Sequence, residues 1–313
     1  MKAIELHQTG GVENFQYVET ETPSINSNEV LIKTKSISIN PVDFKVRTDD
    51  GLLSMINGTH RPVIVGWDVA GEVVEVGNEV SNFKIGDRAF GMINFPGSGN
   101  AYAEFVSAPE DQITVIPNNI NYTQAAATTL AALTALQALK PNVKAGDRVL
   151  IHAGSGGVGH FAIQIAKSLG AHVITTSSAQ NKDFVLSFGA DEHIDYQSQK
   201  FEEILSEIDF VLDMFNGDIL LNSVKVAAAG AAVISLPTPN FSDEILSLAK
   251  SKNVLVSQIM VTSNGEDMKT LAEMLANGTI KPHISREFEF SDMGKAHLQL
   301  ESGRTVGKVI VNL

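Results

Sequence analysis

The stretch that most constrains the fold is residues 148–159. There Arg148-Val149-Leu150-Ile151-His152-Ala153 runs straight into Gly154-Ser155-Gly156-Gly157-Val158-Gly159. The short apolar run predicts a buried strand, and the stretch from His160 to Leu169 predicts a helix, with Gly170 at its C′ position. The next strand is His172-Val173-Ile174-Thr175-Thr176. Gly154, Gly156 and Gly159 match G-x-G-x-x-G. In a chain with 25 glycines the pattern alone says little. Its place between a strand and a helix of one βαβ unit makes it a dinucleotide-binding signature. Each glycine then has an expected task. Gly154 supplies the tight turn, Gly156 lets a pyrophosphate approach the backbone, and Gly159 lets the helix pack closely on the strand. Ser155, Gly157 and Val158 complete a loop whose N–H groups, at a helix N-terminus, suit phosphate. The competing reading is a strand–helix turn that binds nothing.

The rest of the middle segment repeats the alternation. Helix is expected over Lys182 to Phe188, and strands over His193 to Asp195, Phe210 to Asp213, Ala232 to Ser235 and Val254 to Ser257. Near-continuous apolar strands separated by helices predict an α/β fold, a doubly wound parallel sheet covered on both faces. Residues 1 to about 117 differ. Val30 to Thr34 and Val73 to Val76 are β-branched runs, and Gly66, Gly71, Gly77, Gly86 and Gly91 recur as expected tight turns of a compact β-rich domain. From Tyr122 the sequence TQAAATTLAALTALQAL is helix-forming. The Ala-rich patches at 125–127 and 227–229 have helix-packing composition. A further helix is expected over Asp267 to Ala276 and a strand over Gly307 to Val311. The β character of this tail places it on the first domain. The expected division is 1–117 with 264–313, and 118–263.

Composition narrows the function classes. The net charge is −13, which argues against a broad nucleic-acid or anionic-membrane surface. Cys is 0, which removes disulfides, a thiolate nucleophile and Cys-based zinc or iron–sulfur sites. No run approaches a membrane span, and the N-terminus lacks a signal-peptide pattern. A cytoplasmic protein without nucleic-acid or membrane partners is expected.

The end of the second middle-segment strand speaks to the cofactor. NAD-binding folds of this type usually carry Asp or Glu there for the ribose hydroxyl. Here the chain reads Thr175-Thr176-Ser177-Ser178, with no carboxylate before Asp183. Thr176, Ser177, Ser178, Asn181 and Lys182 supply hydroxyls, an amide and one positive charge, which suit a 2′-phosphate. NADP(H) is expected over NAD(H). The bland alternative is an ordinary polar turn.

Residues 146–167, GDRVLIHAGSGGVGHFAIQIAK, resemble the zinc-independent quinone oxidoreductases, the zeta-crystallin-like branch of the medium-chain dehydrogenase/reductase superfamily. So do Asn40-Pro41-Val42-Asp43, Gly66-Trp67-Asp68-Val69-Ala70-Gly71, Ala101 to Phe105, Leu133-Thr134-Ala135 and Gly303 to Lys308, in order along nearly the whole chain. The resemblance implies a GroES-like β-rich catalytic domain beside a Rossmann domain. It also implies NADPH and the reduction of quinones or other electron-poor unsaturated carbonyls. The zinc-containing branch needs Cys where this chain has Asn40, and a His-Glu pair where it has Trp67-Asp68. No His residue has a partner at metal-ligand spacing, so no metal is expected.

Without zinc, charge developing on the substrate oxygen needs another donor. The resemblance places Asn40 beside the nicotinamide, which makes it the lead catalytic residue, against an inert Asn-Pro turn. Lys45 stands where many relatives carry a Tyr. It either stabilises the enolate or extends into solvent, and Asp43 orients it or a loop. Thr134 either bonds the carboxamide or packs its helix. Tyr196 resembles a family Tyr near the adenosine phosphate, against a partly buried structural Tyr. Two other functions remain in view: an enoyl-thioester reductase, and a catalytically idle NADPH- or RNA-binding protein. An edge strand at Val254 to Met260 is the expected homodimer contact.

Overall fold

The computed structural model describes residues 1–237 and 240–313. In chain order its first strands are β1 (Lys2–Leu6), β2 (Phe15–Glu19) and β3 (Glu29–Ile39), followed by helices α1 (Pro41–Thr48) and α2 (Asp50–Asn57). Strands β4 (Val63–Ile64), β5 (Asp68–Val76), β6 (Arg88–Met92), β7 (Phe105–Pro109) and β8 (Ile113–Val115) come next, then α3 (Tyr122–Ala127) and α4 (Leu130–Leu139). The middle segment holds β9 (Arg148–Ile151), α5 (Gly159–Ser168), β10 (His172–Ser177), α6 (Lys182–Ser187), β11 (Glu192–Asp195) and α7 (Phe201–Ile204). It continues with β12 (Ile208–Asp213), α8 (Gly217–Val226), β13 (Ala227–Ser235), α9 (Asp243–Lys252) and β14 (Leu255–Gln258). The chain closes with α10 (Gly265–Ala276), β15 (Ile284–Glu289), α11 (Met293–Glu301) and β16 (Lys308–Asn312).

Two compact units result: Met1–Leu133 with Val261–Leu313, and Thr134–Met260. The chain switches units inside α4, not after residue 117 as expected. The reason is α3, whose buried Ala125, Ala126 and Ala127 pack on β3, β5 and β16 of the first unit. The expected single helix from Tyr122 is broken at Thr128-Thr129. Each threonine hydroxyl donates to a carbonyl of the preceding turn, on Gln124 and Ala126.

The first unit is a GroES-like β domain. A seven-stranded sheet runs β15-β16-β3-β5-β6-β8 with β7 also on β3, and a second sheet runs β2-β1-β4. The C-terminal strand β16 pairs antiparallel with β3, matching Val309 to Ile39, so both ends of the chain build this unit. Gly66 and Gly86 are turn residues with φ of 91°. Gly71 and Gly91 are not turns. They lie inside β5 and β6, where a Cβ would overlap the Lys33 carbonyl or crowd that of Gln112. These two glycines permit close strand approach.

The second unit is a six-stranded parallel sheet in the order β11-β10-β9-β12-β13-β14. Counted from β9 this is the 3-2-1-4-5-6 order of a Rossmann sheet. Its apolar centre includes Leu150, Ile174, Val211 and Val233, all buried. Ala227 to Ala229 open strand β13, paired to β12 at Ala227–Ile208, and are not helical as their composition suggested. Ala227 is buried there, and its pairing with β12 overrides the strong helix propensity of alanine.

Candidate functional site

In the second unit the glycine loop leaves β9 and starts α5. The left-handed residue of the turn is Ala153, with φ 51°, and not Gly154. Gly154 is required for another reason: β10 passes so close that a Cβ there would overlap the Thr175 hydroxyl. Gly159 does what the motif predicted, since a Cβ would overlap the Ala153 carbonyl and crowd Gly154. Gly156 is different. An added Cβ would meet only the Ala153 carbonyl oxygen, at 3.2 Å. The backbone N–H groups of Ser155, Gly157 and Val158 have no protein acceptor among the described residues. These half-buried donors at the start of α5 are what an anion could use.

Two polar side chains, Asn181 and Ser178, gather beside the loop. Asn181 donates from Nδ2 to Ser155 Oγ at 3.1 Å and to Ser178 Oγ at 3.2 Å. Lys182 is exposed, and Tyr196 is 62% exposed, so neither is a packed structural residue. Thr176 and Ser177 face inward. Ser177 Oγ lies 2.9 Å from His193 Nε2. The Thr176 carbonyl accepts from the Gly154 N–H at 2.9 Å, and its hydroxyl accepts from the Ala153 N–H at 3.3 Å. That hydroxyl also contacts His152 Nδ1 at 3.1 Å, while His152 Nε2 contacts Ser223 Oγ at 2.9 Å. Ser223 donates its own proton to the Ile219 carbonyl, so His152 Nε2 must be the donor and Nδ1 the acceptor. Burial pushes the imidazole down to about 3, and the group stays neutral. Thr134 is buried on α4.

In the first unit Asn40 precedes α1 and is 1% exposed. Its backbone N–H donates to Asp43 Oδ2 at 2.6 Å, which holds the first turn of the helix. Asp43 therefore orients α1 and not Lys45, which is exposed. The Asn40 amide donates from Nδ2 to Asp68 Oδ2 at 2.7 Å, and its Oδ1 accepts from the buried Lys308 ammonium. Asp68 Oδ1 accepts from the Leu130 N–H at 3.0 Å. Burial raises the Asp68 carboxyl, and the Lys308 charge opposes that rise. The same burial lowers Lys308, against the pull of Asp68 and Asp43. Asp43 is pushed up to about 7, first by burial and then by the Asp68 charge. A second chain of contacts links Tyr102 Oη to His297 Nε2 at 2.8 Å, His297 Nδ1 to Arg47 Nε at 3.4 Å, and Arg47 to Glu301 and the Gly10 carbonyl. Burial, then the Arg47 charge, lowers His297 to about 3.

Sequence reasoning assigned no role to Lys308, Tyr102, His297 or Arg47, and quoted Asp68 only within a family segment and as a replacement for a zinc ligand. The available signal was charge in apolar context, as in Lys308-Val309-Ile310-Val311. The positions that would hold catalytic zinc do not fit it. The Trp67 indole is buried, donates to the Gly97 carbonyl at 2.7 Å and packs edge-on against Phe95. Asp68 is committed to Asn40 and Leu130. No group of three His, Cys, Asp or Glu side chains that could hold a metal occurs among the described residues. No helix among them is long and apolar enough to cross a membrane.

Residues 26–118 match the family described as alcohol dehydrogenase GroES-like domain, and residues 188–311 match the one described as zinc-binding dehydrogenase. A 2-methylene-furan-3-one reductase of Solanum lycopersicum is 34% identical over 100% of this chain and 79% of its own length. The solved quinone oxidoreductase of Coxiella burnetii superposes with a TM-score of 0.93 at 36% identity, covering 100% of this chain and 99% of that one. The Escherichia coli quinone oxidoreductase, solved with NADPH, superposes with a TM-score of 0.88 at 26% identity over 100% of both chains. With Asn40 and Trp67-Asp68 at the positions that separate the branches, the chain belongs to the zinc-independent quinone oxidoreductase branch of the medium-chain dehydrogenase/reductase superfamily.

Proposed function

We propose that this protein is an NADPH-dependent, zinc-independent reductase of quinones and other electron-poor unsaturated carbonyls. The single observation that carries the cofactor half is Gly156 together with the unpaired N–H groups around it. Gly154 and Gly159 are needed by the protein's own packing, but the bare Cα of Gly156 leaves room the fold hardly uses. Ser155, Gly157 and Val158 would hold the pyrophosphate. Ser178, Asn181 and Lys182 would hold the 2′-phosphate, and no carboxylate stands between Thr175 and Lys182. Tyr196 is free to cover the adenosine end, and Thr134 is the residue proposed for the carboxamide. The Escherichia coli relative's NADPH and the substrates named for the other two relatives agree with this reading.

When bound, NADPH supplies the hydride. The chain's task is to orient the substrate, exclude water and stabilise charge growing on its oxygen. Asn40 is the proposed donor. One N–H is spent on Asp68, and the other has no acceptor among the described residues. The edge strand β14, with Leu255 exposed and the exposed Met260 just beyond it, is the proposed homodimer contact, and the cysteine-free chain fits a reducing cytoplasm. The test is NADPH consumption across quinones and alkenals, with cofactor Kd values from fluorescence titration. Tighter NADPH than NADH binding and turnover of one acceptor class are expected, with kcat at least tenfold lower in Asn40→Ala. Equal Kd values, or no turnover of any acceptor, would overturn the reading.

A further inference from the structure

Lys308 is the only lysine with a buried side chain among the described residues. It opens β16, and its ammonium donates to the Ile39 carbonyl at 3.2 Å and to Asn40 Oδ1. On the other side of the same amide, Asp68 accepts from Nδ2. The Asn40 carboxamide is thus gripped at its oxygen by a cation and at its nitrogen by an anion. A flip would set an N–H against the ammonium and an oxygen against the carboxylate, two repulsive contacts in a buried place. A cation on the amide oxygen also draws electron density from nitrogen, which strengthens the remaining N–H as a donor.

We propose that Lys308 is a positioning residue for the reduction, a clamp that holds the Asn40 amide in one orientation with its second N–H aimed for the substrate oxygen. The proposal rests on the reading of Asn40 given above. The groups facing the ammonium are Asp68 from β5, Asp43 at the start of α1 and the Ile39 carbonyl at the end of β3.

The experiment pairs activity with a direct view of the amide. In the full chain, Lys308→Ala is expected to lower kcat at least tenfold while KM for NADPH stays within twofold, because the glycine loop belongs to the other unit. Ethylammonium at millimolar concentration should restore part of that kcat, and Lys308→Arg should keep more of it than Lys308→Ala. The Asn40 side-chain N–H pair, assigned in a 15N NMR spectrum by its loss in Asn40→Ala, should give two sharp, well-separated signals in the parent protein. In Lys308→Arg these should shift but stay sharp, and in Lys308→Ala they should broaden or move to the positions of a solvent-exposed Asn amide. A kcat within twofold of the parent in Lys308→Ala, or an unchanged amide pair, overturns the clamp. If Lys308→Ala does not fold, Lys308→Arg decides through the same two readouts, and unchanged signals there overturn it. Unaltered kcat in Asn40→Ala instead removes the reading of Asn40, a separate outcome from an intact Asn40 effect with inert Lys308 variants.

Discussion

Around Asn40 and behind the glycine loop, the two units bury polar groups with opposite chemistry. The first buries charge: Asp43, Asp68, Lys308 and Arg47 all sit below the surface. Behind the glycine loop, the second buries a neutral trio of His152, Thr176 and Ser223. Ionic burial costs desolvation and is weak evidence for stability, but it fixes geometry here, because only one orientation of the Asn40 amide meets both Lys308 and Asp68. That suits an amide that must not flip. The neutral trio adds no charge near the loop, so attraction for an anion falls to backbone N–H groups and the start of α5. The comparison teaches that one unit spends its polar core on orientation while the other keeps its donors for a ligand.

The largest expected effect is a pair of opposite pH slopes. Burial holds the proton on Asp43 up to about 7 in the folded protein, against 3.8 for a carboxyl in water. Its contribution is present below about pH 4 and is lost as pH rises toward 7. His152 sits at about 3 when folded, against 6.5. The unfolded chain therefore binds that proton first, and stability falls as pH drops from about 6.5 toward 3. Each effect is on the order of 4–5 kcal/mol, at roughly 1.4 kcal/mol per pH unit between the unfolded and folded values. Urea unfolding at pH 5 and pH 7.5 checks both. Asp43→Asn should lose less stability than the parent on going up, and His152→Gln should lose less on going down. His297, lowered to about 3 by burial and then by Arg47, adds to the acid side and is common to both comparisons. Identical slopes in parent and variants would mean that burial in the two units does not differ in this way.

A smaller contrast lies within the glycine loop. Gly159→Ala puts a methyl group into the Ala153 carbonyl, and overpacking of this kind costs about 1–3 kcal/mol. Gly156→Ala meets only one oxygen at 3.2 Å, so its stability should change by less than about 1 kcal/mol. NADPH affinity should behave in reverse, with Gly156→Ala at least tenfold weaker in a fluorescence titration. Thermal denaturation of the two variants separates them, and equal losses of stability would erase the distinction.

These contrasts show what the sequence could disclose. The glycine loop, the parallel sheet and the return of the tail to the first unit rest on local signals: an apolar strand, a helix period and a motif at fixed spacing. Even there the division of labour was misplaced, because the left-handed turn falls on Ala153 and nothing local reveals that β10 crowds Gly154. The ionic cluster was illegible for a stronger reason. Lys308 meets Asn40 across 268 positions, and Arg47 meets His297 across 250. Such contacts follow from β16 pairing with β3, and no spacing rule within either segment encodes that pairing. Ala227 to Ala229 failed differently, since the strong local helix preference of alanine gave way to the pairing of β13 with β12.

Lys45 gives the smallest expected effect and the cleanest check on that lesson. By position it stands where relatives of this branch carry a tyrosine, and a cation near the reacting oxygen would be chemically useful. In the structure it lies exposed on α1, two residues beyond Asp43, whose carboxylate is turned to the Asn40 N–H. An exposed ammonium is already solvated and screened, so it offers a developing charge little that water does not. Lys45→Ala should leave kcat and both KM values within about twofold and the melting temperature within about one degree. A tenfold loss of kcat would bring Lys45 back into the site and shift the useful cation from the buried strand to the helix face. The contrast with Lys308 is then decided by burial: two lysines of one unit, one in water and one gripping an amide.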